Sequence, residues 1–400
     1  MHAAAHRRLA PPGDAAWSSA ASPPRLLCMD SDRRTFLAAG AAALAWSCGP
    51  ARSMSPMLPV ASGVTAEVVP ARIRLAANEN PYGPSPRARA AAQAALGEAC
   101  RYSESCGELA AALAARHGVS SEHVVLGTGS FAILMWTVDA AMHPGGAAVV
   151  AHPSFDVVGD RAATFGSVSR VPLDARSGLD LDAMAAAITA STRLVYVCNP
   201  NNPTSTVVDG AELAAFCKRF AQRTLVLVDE AYAEYVAELA SMDALVRDGV
   251  PIVVARTFSK LFGLAGLRVG YAIAPPPIAE RLRSARGVAD RAWIAAPAAR
   301  AAIASLGDAD YVVRTRREVG EVRTRFVGAL EHLGLVVPAP HANFVYFEHA
   351  RTDALVAGMA ARGIRIGGLA QPRACRITIG LPSEMTAAAD ALAAVLPTLR

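Results

Sequence analysis

Between residues 123 and 273 the chain repeats one pattern, a short run of branched apolar residues followed by a stretch with helical periodicity. The runs are His123-Val-Val-Leu126, Ala147-Ala-Val-Val-Ala151, Thr192-Arg-Leu-Val-Tyr-Val-Cys198, Thr224-Leu-Val-Leu-Val228, Ile252-Val-Val-Ala255 and Val269-Gly-Tyr-Ala-Ile273. None alternates apolar with polar, so each predicts a strand buried on both faces. Parallel strands need long crossovers, and the intervening helical stretches supply them. The pattern therefore predicts an α/β chain with a mostly parallel sheet between helices.

On either side the organisation changes. Residues 54–86 carry Pro56, Pro59, Pro70, Pro81, Pro84 and Pro86, which break any helix and predict an extended arm. Helices are expected over 87–99 and 108–117. A long Arg-rich amphipathic stretch, 310–333, precedes Phe344-Val-Tyr-Phe347 and Ala374-Cys-Arg-Ile-Thr-Ile379. Strands after such a helix predict a smaller C-terminal α+β domain. The expected boundaries are a leader over 1–53, the arm over 54–86, a large domain over 87–290 and a small domain over 291–400.

In the leader, Ser31-Asp-Arg-Arg-Thr-Phe-Leu37 and the short apolar Ala38-Ala-Gly-Ala-Ala-Ala-Leu-Ala-Trp46 resemble a twin-arginine export signal. Met29 is a second candidate start. The expected location is periplasmic or extracytoplasmic, with the cytoplasm as the alternative. After residue 54 no apolar run approaches the roughly 20 residues that span a bilayer. The net charge of +5 is dispersed, without the basic block that tracks a nucleic-acid backbone. Five of seven cysteines follow the leader, an odd number without a CxxC pair, which argues against a zinc site or a disulfide framework.

In parallel sheets the carboxyl ends of the strands carry function, and unusual residues gather there. Gly127-Thr-Gly-Ser130 opens a helix, where backbone N–H groups favour an anion. Asn199-Pro-Asn-Asn-Pro-Thr204 is a stiff, amide-bearing loop, and Asp229-Glu-Ala-Tyr232 puts a carboxylate and a phenol on one turn. Of 39 lysines and arginines only Lys218 and Lys260 are lysines. Arginine cannot form a Schiff base, whereas a desolvated lysine can. Lys260 lies in Arg256-Thr-Phe-Ser-Lys-Leu-Phe-Gly-Leu-Ala-Gly-Leu-Arg-Val-Gly270, among small residues and hydroxyls, and is the candidate covalent catalyst.

From about residue 74 to 382 these motifs, with Asn78-Glu-Asn-Pro-Tyr-Gly-Pro84 and Ala342-Asn-Phe344, resemble the pyridoxal-phosphate enzymes of the aspartate-aminotransferase superfamily. The nearest branch is histidinol-phosphate aminotransferase. The resemblance implies a seven-stranded, mostly parallel sheet and pyridoxal 5′-phosphate as cofactor, with no metal. Lys260 would hold the cofactor covalently and then move the substrate's α-proton. Asp229 would face the pyridine nitrogen, Tyr232 and Asn202 the phenolic oxygen, and Phe155 the ring. Gly129, Ser130, Thr257, Ser259 and Arg268 would hold the phosphate. Tyr102 would reach it from the neighbouring subunit of a homodimer. Arg376 would grip the substrate's anionic group, beside Asn80, Tyr82 and Asn343.

The implied reaction moves an amino group between an amino acid or amino-alcohol phosphate and a 2-oxo acid such as 2-oxoglutarate. A phospho-amino-acid decarboxylase or other lyase on the same scaffold is the alternative. The chain departs from the branch at Ser205, where Gly is usual, at Phe131 and Ala132, where acids are common, and at Tyr102-Ser-Glu-Ser105. It also has Gly367 where family members carry an arginine, with Arg365 two positions away.

Overall fold

The computed structural model describes residues 73–285, 294–370 and 372–399. The leader with its paired arginines, and the arm as far as residue 72, lie outside the described residues. Eleven strands are described: β1 (Ile73–Leu75), β2 (Val124–Gly127), β3 (Ala147–His152), β4 (Ser167–Pro172), β5 (Thr192–Cys198), β6 (Leu225–Asp229), β7 (Ile252–Thr257), β8 (Gly270–Ile273), β9 (Phe344–Glu348), β10 (Ile364–Leu369) and β11 (Ala374–Thr378).

Seven of them form one sheet in the order β2-β8-β7-β6-β5-β3-β4. The neighbours from β7 to β4 run parallel, and only β8 is antiparallel to its neighbours β7 and β2. Side chains alternate between two cores. On β5, Val195 and Val197 enter one cluster, while Leu194, Tyr196 and Cys198 enter the other. The helix Ser130–Met142 covers that second face with Ile133, Leu134, Val138 and Met142. Burying side chains of this size stabilises by about 1.5–3 kcal/mol each. β4 is absent from the sequence-based runs for a simple reason. It is an edge strand, Ser-Val-Ser-Arg-Val-Pro, with only Val171 buried.

The second sheet, β1-β10-β11-β9, is antiparallel except for the β1–β10 pair. The helix Ala309–His332 begins at Asp308, whose side chain accepts from the Tyr311 amide, a cap worth about 1 kcal/mol. It buries Tyr311, Thr315, Val319, Val322, Phe326 and Leu330 at helical spacing, and the apolar members below Thr315 join the core of this sheet. The two cores do not follow chain order strictly. β1, from the arm, closes the small sheet, whereas the helix Ala296–Leu306 packs on Pro86–Ala94 in the core of the large one. No helix of the described residues is long and apolar enough to cross a membrane.

Candidate active site

The carboxyl ends of β5, β6 and β7 open into a cavity of about 290 Å³, closed on another side by the small sheet. Each strand delivers its residues by the same geometry. Leu227 and Asp229 share one face of β6, as Ala255 and Thr257 do on β7, so the last residue of each strand points toward the helix Ser130–Met142. Ser130, Phe131, Phe155, Asn202, Asp229, Tyr232, Thr257, Ser259, Lys260, Arg268 and Arg376 all line this one cavity.

Asp229 is only 3% exposed. Its Oδ2 accepts from the Tyr196 hydroxyl at 3.0 Å and its Oδ1 from the Ala231 amide at 3.1 Å. Burial pushes its carboxyl up to about 6, against the opposing effect of those two hydrogen bonds and of Lys260. The Lys260 amine donates to the Ala77 carbonyl at 3.2 Å and lies 5.4 Å from the centre of the Tyr232 ring. Burial, then the Arg376 guanidinium, bring it down to about 8, well below the ordinary lysine value. The Tyr232 hydroxyl accepts from Asn78 Nδ2 at 2.9 Å, which leaves its own proton for another acceptor.

The turn around Gly129 and the stretch after β7 form a polar cradle. Gly129 has φ +80 and ψ 164, and a Cβ there would overlap the Arg268 guanidinium. Thr257 Oγ1 donates to Ser259 Oγ at 2.9 Å, and Arg268 Nη1 donates to the same Ser259 oxygen at 3.3 Å. Arg376, on β11, donates to Asn202 Oδ1 and to the Ala76 carbonyl, each at 2.6 Å, while its buried Nε has no partner. No carboxylate among the described residues pairs with it.

Three expected site residues lie elsewhere. Asn80 turns its amide onto the Leu261 carbonyl and the Tyr311 hydroxyl, and Asn343 holds the Asn78 and Glu79 carbonyls. Both brace the backbone behind the cavity instead of lining it. Tyr82 packs half-buried against the small-sheet core. Tyr102, expected at the site of a neighbouring subunit, is 78% exposed and does not line this chain's own cavity. Three residues that sequence reasoning passed over do belong to the site: Asn78, Tyr196 and Cys198. Tyr196 carried a signal, since a phenol in a strand buried on both faces must find a hydrogen-bond partner. Asn78 carried none that separates it from Asn80 two residues on.

The model of the family described as aminotransferase class I and II matches residues 70–392. The chain belongs to the class I and II aminotransferases. Histidinol-phosphate aminotransferase 1 of Cupriavidus pinatubonensis is 39% identical to it over 330 residues, 80% of this chain and 87% of that protein. An aromatic amino acid aminotransferase of Rhodococcus jostii is 40% identical over 319 residues, 79% of this chain and 88% of that protein. The crystal structure of histidinol-phosphate aminotransferase from Sinorhizobium meliloti in complex with pyridoxal-5′-phosphate superposes with a TM-score of 0.74 at 28% identity, covering 82% of this chain and 91% of that one. This aminotransferase is accordingly a pyridoxal-phosphate-dependent transaminase. Its cavity fits that cofactor. The side-chain-free turn at Gly129, the hydroxyls of Ser130, Thr257 and Ser259 and the Arg268 guanidinium suit a phosphate, and a buried carboxylate and a part-buried amine line the same space.

Proposed function

We propose that this aminotransferase moves the amino group of an L-amino acid to a 2-oxo acid such as 2-oxoglutarate. An amino-alcohol phosphate of the histidinol-phosphate type would be the poorer donor. Arg376 carries this reading. It is the one cation lining the cavity besides Lys260 and the Arg268 of the phosphate cradle, and its buried Nε still lacks an acceptor. An α-carboxylate suits that guanidinium in a two-point contact. A donor that carries its anion as a phosphate at the far end would need a second cation there. Directly across the strand pair from Arg376, β10 offers Gly367.

Pyridoxal phosphate supplies an aldehyde that takes up the amino group and a ring that accepts the electron pair released at the substrate α-carbon. Lys260 would hold that aldehyde carbon covalently. The Lys260 amine would hold and move the proton of the substrate α-carbon, a role that suits an amine titrating at about 8. Asp229 would face the ring nitrogen and keep it protonated. Tyr232 and Asn202 would hold the phenolic oxygen, and Phe155 would lie against the ring. Gly129, Ser130, Thr257, Ser259 and Arg268 would hold the phosphate.

Tyr102, on the surface of the single chain, is proposed to complete the site of a second copy in a homodimer. The paired arginines at 33 and 34 support export, which fractionation of cells expressing the full chain tests. For the reaction, mixing the cofactor-loaded enzyme with single donors and following the cofactor spectrum is decisive. Amino acids should convert it well and histidinol phosphate weakly. Rapid conversion by histidinol phosphate alone would reverse the assignment.

A further inference from the structure

The Asp229 carboxylate is reached by two donors of this chain, and one of them, the Tyr196 hydroxyl, has no role in the reaction outlined above. Tyr196 and Asp229 sit on neighbouring parallel strands, with Tyr196 opposite Leu227 and Cys198 opposite Asp229, and all four side chains share one face of the sheet. The Tyr196 ring is 1% exposed and packed in the core beneath the helix Ser130–Met142. Its hydroxyl donates to Asp229 Oδ2 at 3.0 Å, so the phenol bridges from the middle of one strand to the last residue of the next. The backbone amide of Ala231 takes the other oxygen. One bond to each oxygen fixes the plane of the carboxylate, and the remaining lone pairs are left for the cavity that Asp229 lines.

We propose that Tyr196 is a positioning residue whose hydroxyl holds the Asp229 carboxylate in the orientation and charge state that meets the cofactor's ring nitrogen. The inference rests on the reading of Asp229 given above. The electrostatics agree with the geometry. Burial raises the Asp229 carboxyl, and the Tyr196 bond is the first of the contacts that oppose this, ahead of the Ala231 amide and Lys260. The groups facing Asp229 are Tyr196 and Cys198 from β5, Lys260 from the turn after β7, and Glu230 and Tyr232 from its own turn. Of these, Tyr196 is the one side chain that donates a hydrogen bond to the carboxylate among the described residues. Removing that donor favours the protonated acid, which can no longer balance a protonated ring nitrogen.

Tyr196→Phe keeps the ring and deletes the hydroxyl. Its cofactor affinity, titrated by fluorescence or absorbance across the acid-to-neutral range, should fall about tenfold at neutral pH, equivalent to about 1.4 kcal/mol. The pH at which affinity is half lost on acidification should move upward. Replacing Tyr196 by a fluorinated tyrosine, a stronger donor of nearly the same shape, should move that midpoint down. In an Asp229→Asn background Tyr196→Phe should add nothing, since the two residues act through one bond. If Tyr196→Phe and the fluorinated protein both keep the wild-type midpoint while Asp229→Asn loses affinity, the positioning role is overturned and the Asp229 assignment stands. If Asp229→Asn binds the cofactor like wild type, the Asp229 assignment itself fails. Should Tyr196→Phe not fold, the fluorinated protein alone decides the matter by the direction of its shift.

Discussion

The guanidinium of Arg268 occupies the space where a side chain at Gly129 would begin. Neither residue leaves the other much choice. Arg268 is held in the left-handed region at φ 55 and donates to Ser259 and to the Ala265 carbonyl, while Gly129 adopts a φ, ψ pair that only glycine tolerates. Gly129→Ala should therefore cost about 1–3 kcal/mol in the backbone alone and displace Arg268 from Ser259. The cofactor dissociation constant should rise at least about tenfold, measured by titrating the cofactor-free protein, with a lowered melting temperature beside it.

Two lysines make covalent attachment nearly a binary question. Lys218 is exposed on the helix Gly210–Phe220, whereas Lys260 lies in the cavity. Borohydride reduction of the loaded enzyme followed by peptide mapping should place the cofactor on Lys260. Lys260→Ala should lose the visible absorption band. Label on Lys218 alone would contradict the site.

The Lys260 amine should reveal its surroundings by titration. Burial is the main reason its value falls to about 8, and Arg376 is the next. In the cofactor-free protein an amine-reactive probe should therefore label Lys260 faster as pH rises through about 8. Arg376→Gln removes a cation and should shift that midpoint up. Asp229→Asn removes an anion that favours the ammonium form and should shift it down. Labelling kinetics read by mass spectrometry separate the directions.

Behind the site, Arg256 donates to Glu230 through Nε at 3.0 Å and Nη2 at 2.6 Å, and to Glu234 through Nη1 at 2.9 Å, all three residues buried. Glu230 also accepts from Ser241 Oγ and the Met242 amide, tying the turn after β6 to the segment before Asp243. Arg256→Met leaves two buried carboxylates without their cation and should cost about 3–5 kcal/mol of stability. Urea denaturation of the cofactor-free protein measures this. A change below about 1 kcal/mol would place the ion cluster among the weak surface pairs.

Much of this was legible before folding. The run at 192–198 became β5 with the same ends, and β3, β6, β7 and β9 lie within a residue or two of their runs. A strand buried on both faces has to be apolar at every position, and that is written locally. β4 and β10 were not legible. One is a polar edge strand and the other, Ile-Arg-Ile-Gly-Gly-Leu, is stabilised by pairing with β1 and β11 more than by its own residues. β1 is three residues long and gains its strand character from β10 alone.

The same division runs through the site. Three residues named from the sequence line the one cavity: a rare amine at 260, a carboxylate closing β6 at 229 and a guanidinium at 376 in the small sheet. Lys260 stood out by the rarity of lysine, whereas Asp229 and Arg376, with Glu230 and Arg373 close by in sequence, were singled out by the family resemblance. Sequence could not tell Asn78 from Asn80, or foresee that Tyr196 would reach Asp229 from the adjacent strand. Those outcomes depend on strand register, on the positive φ of 53 at Asn78 and on which face of β5 each side chain takes. Such choices exist only once segments far apart in the chain have been packed against one another.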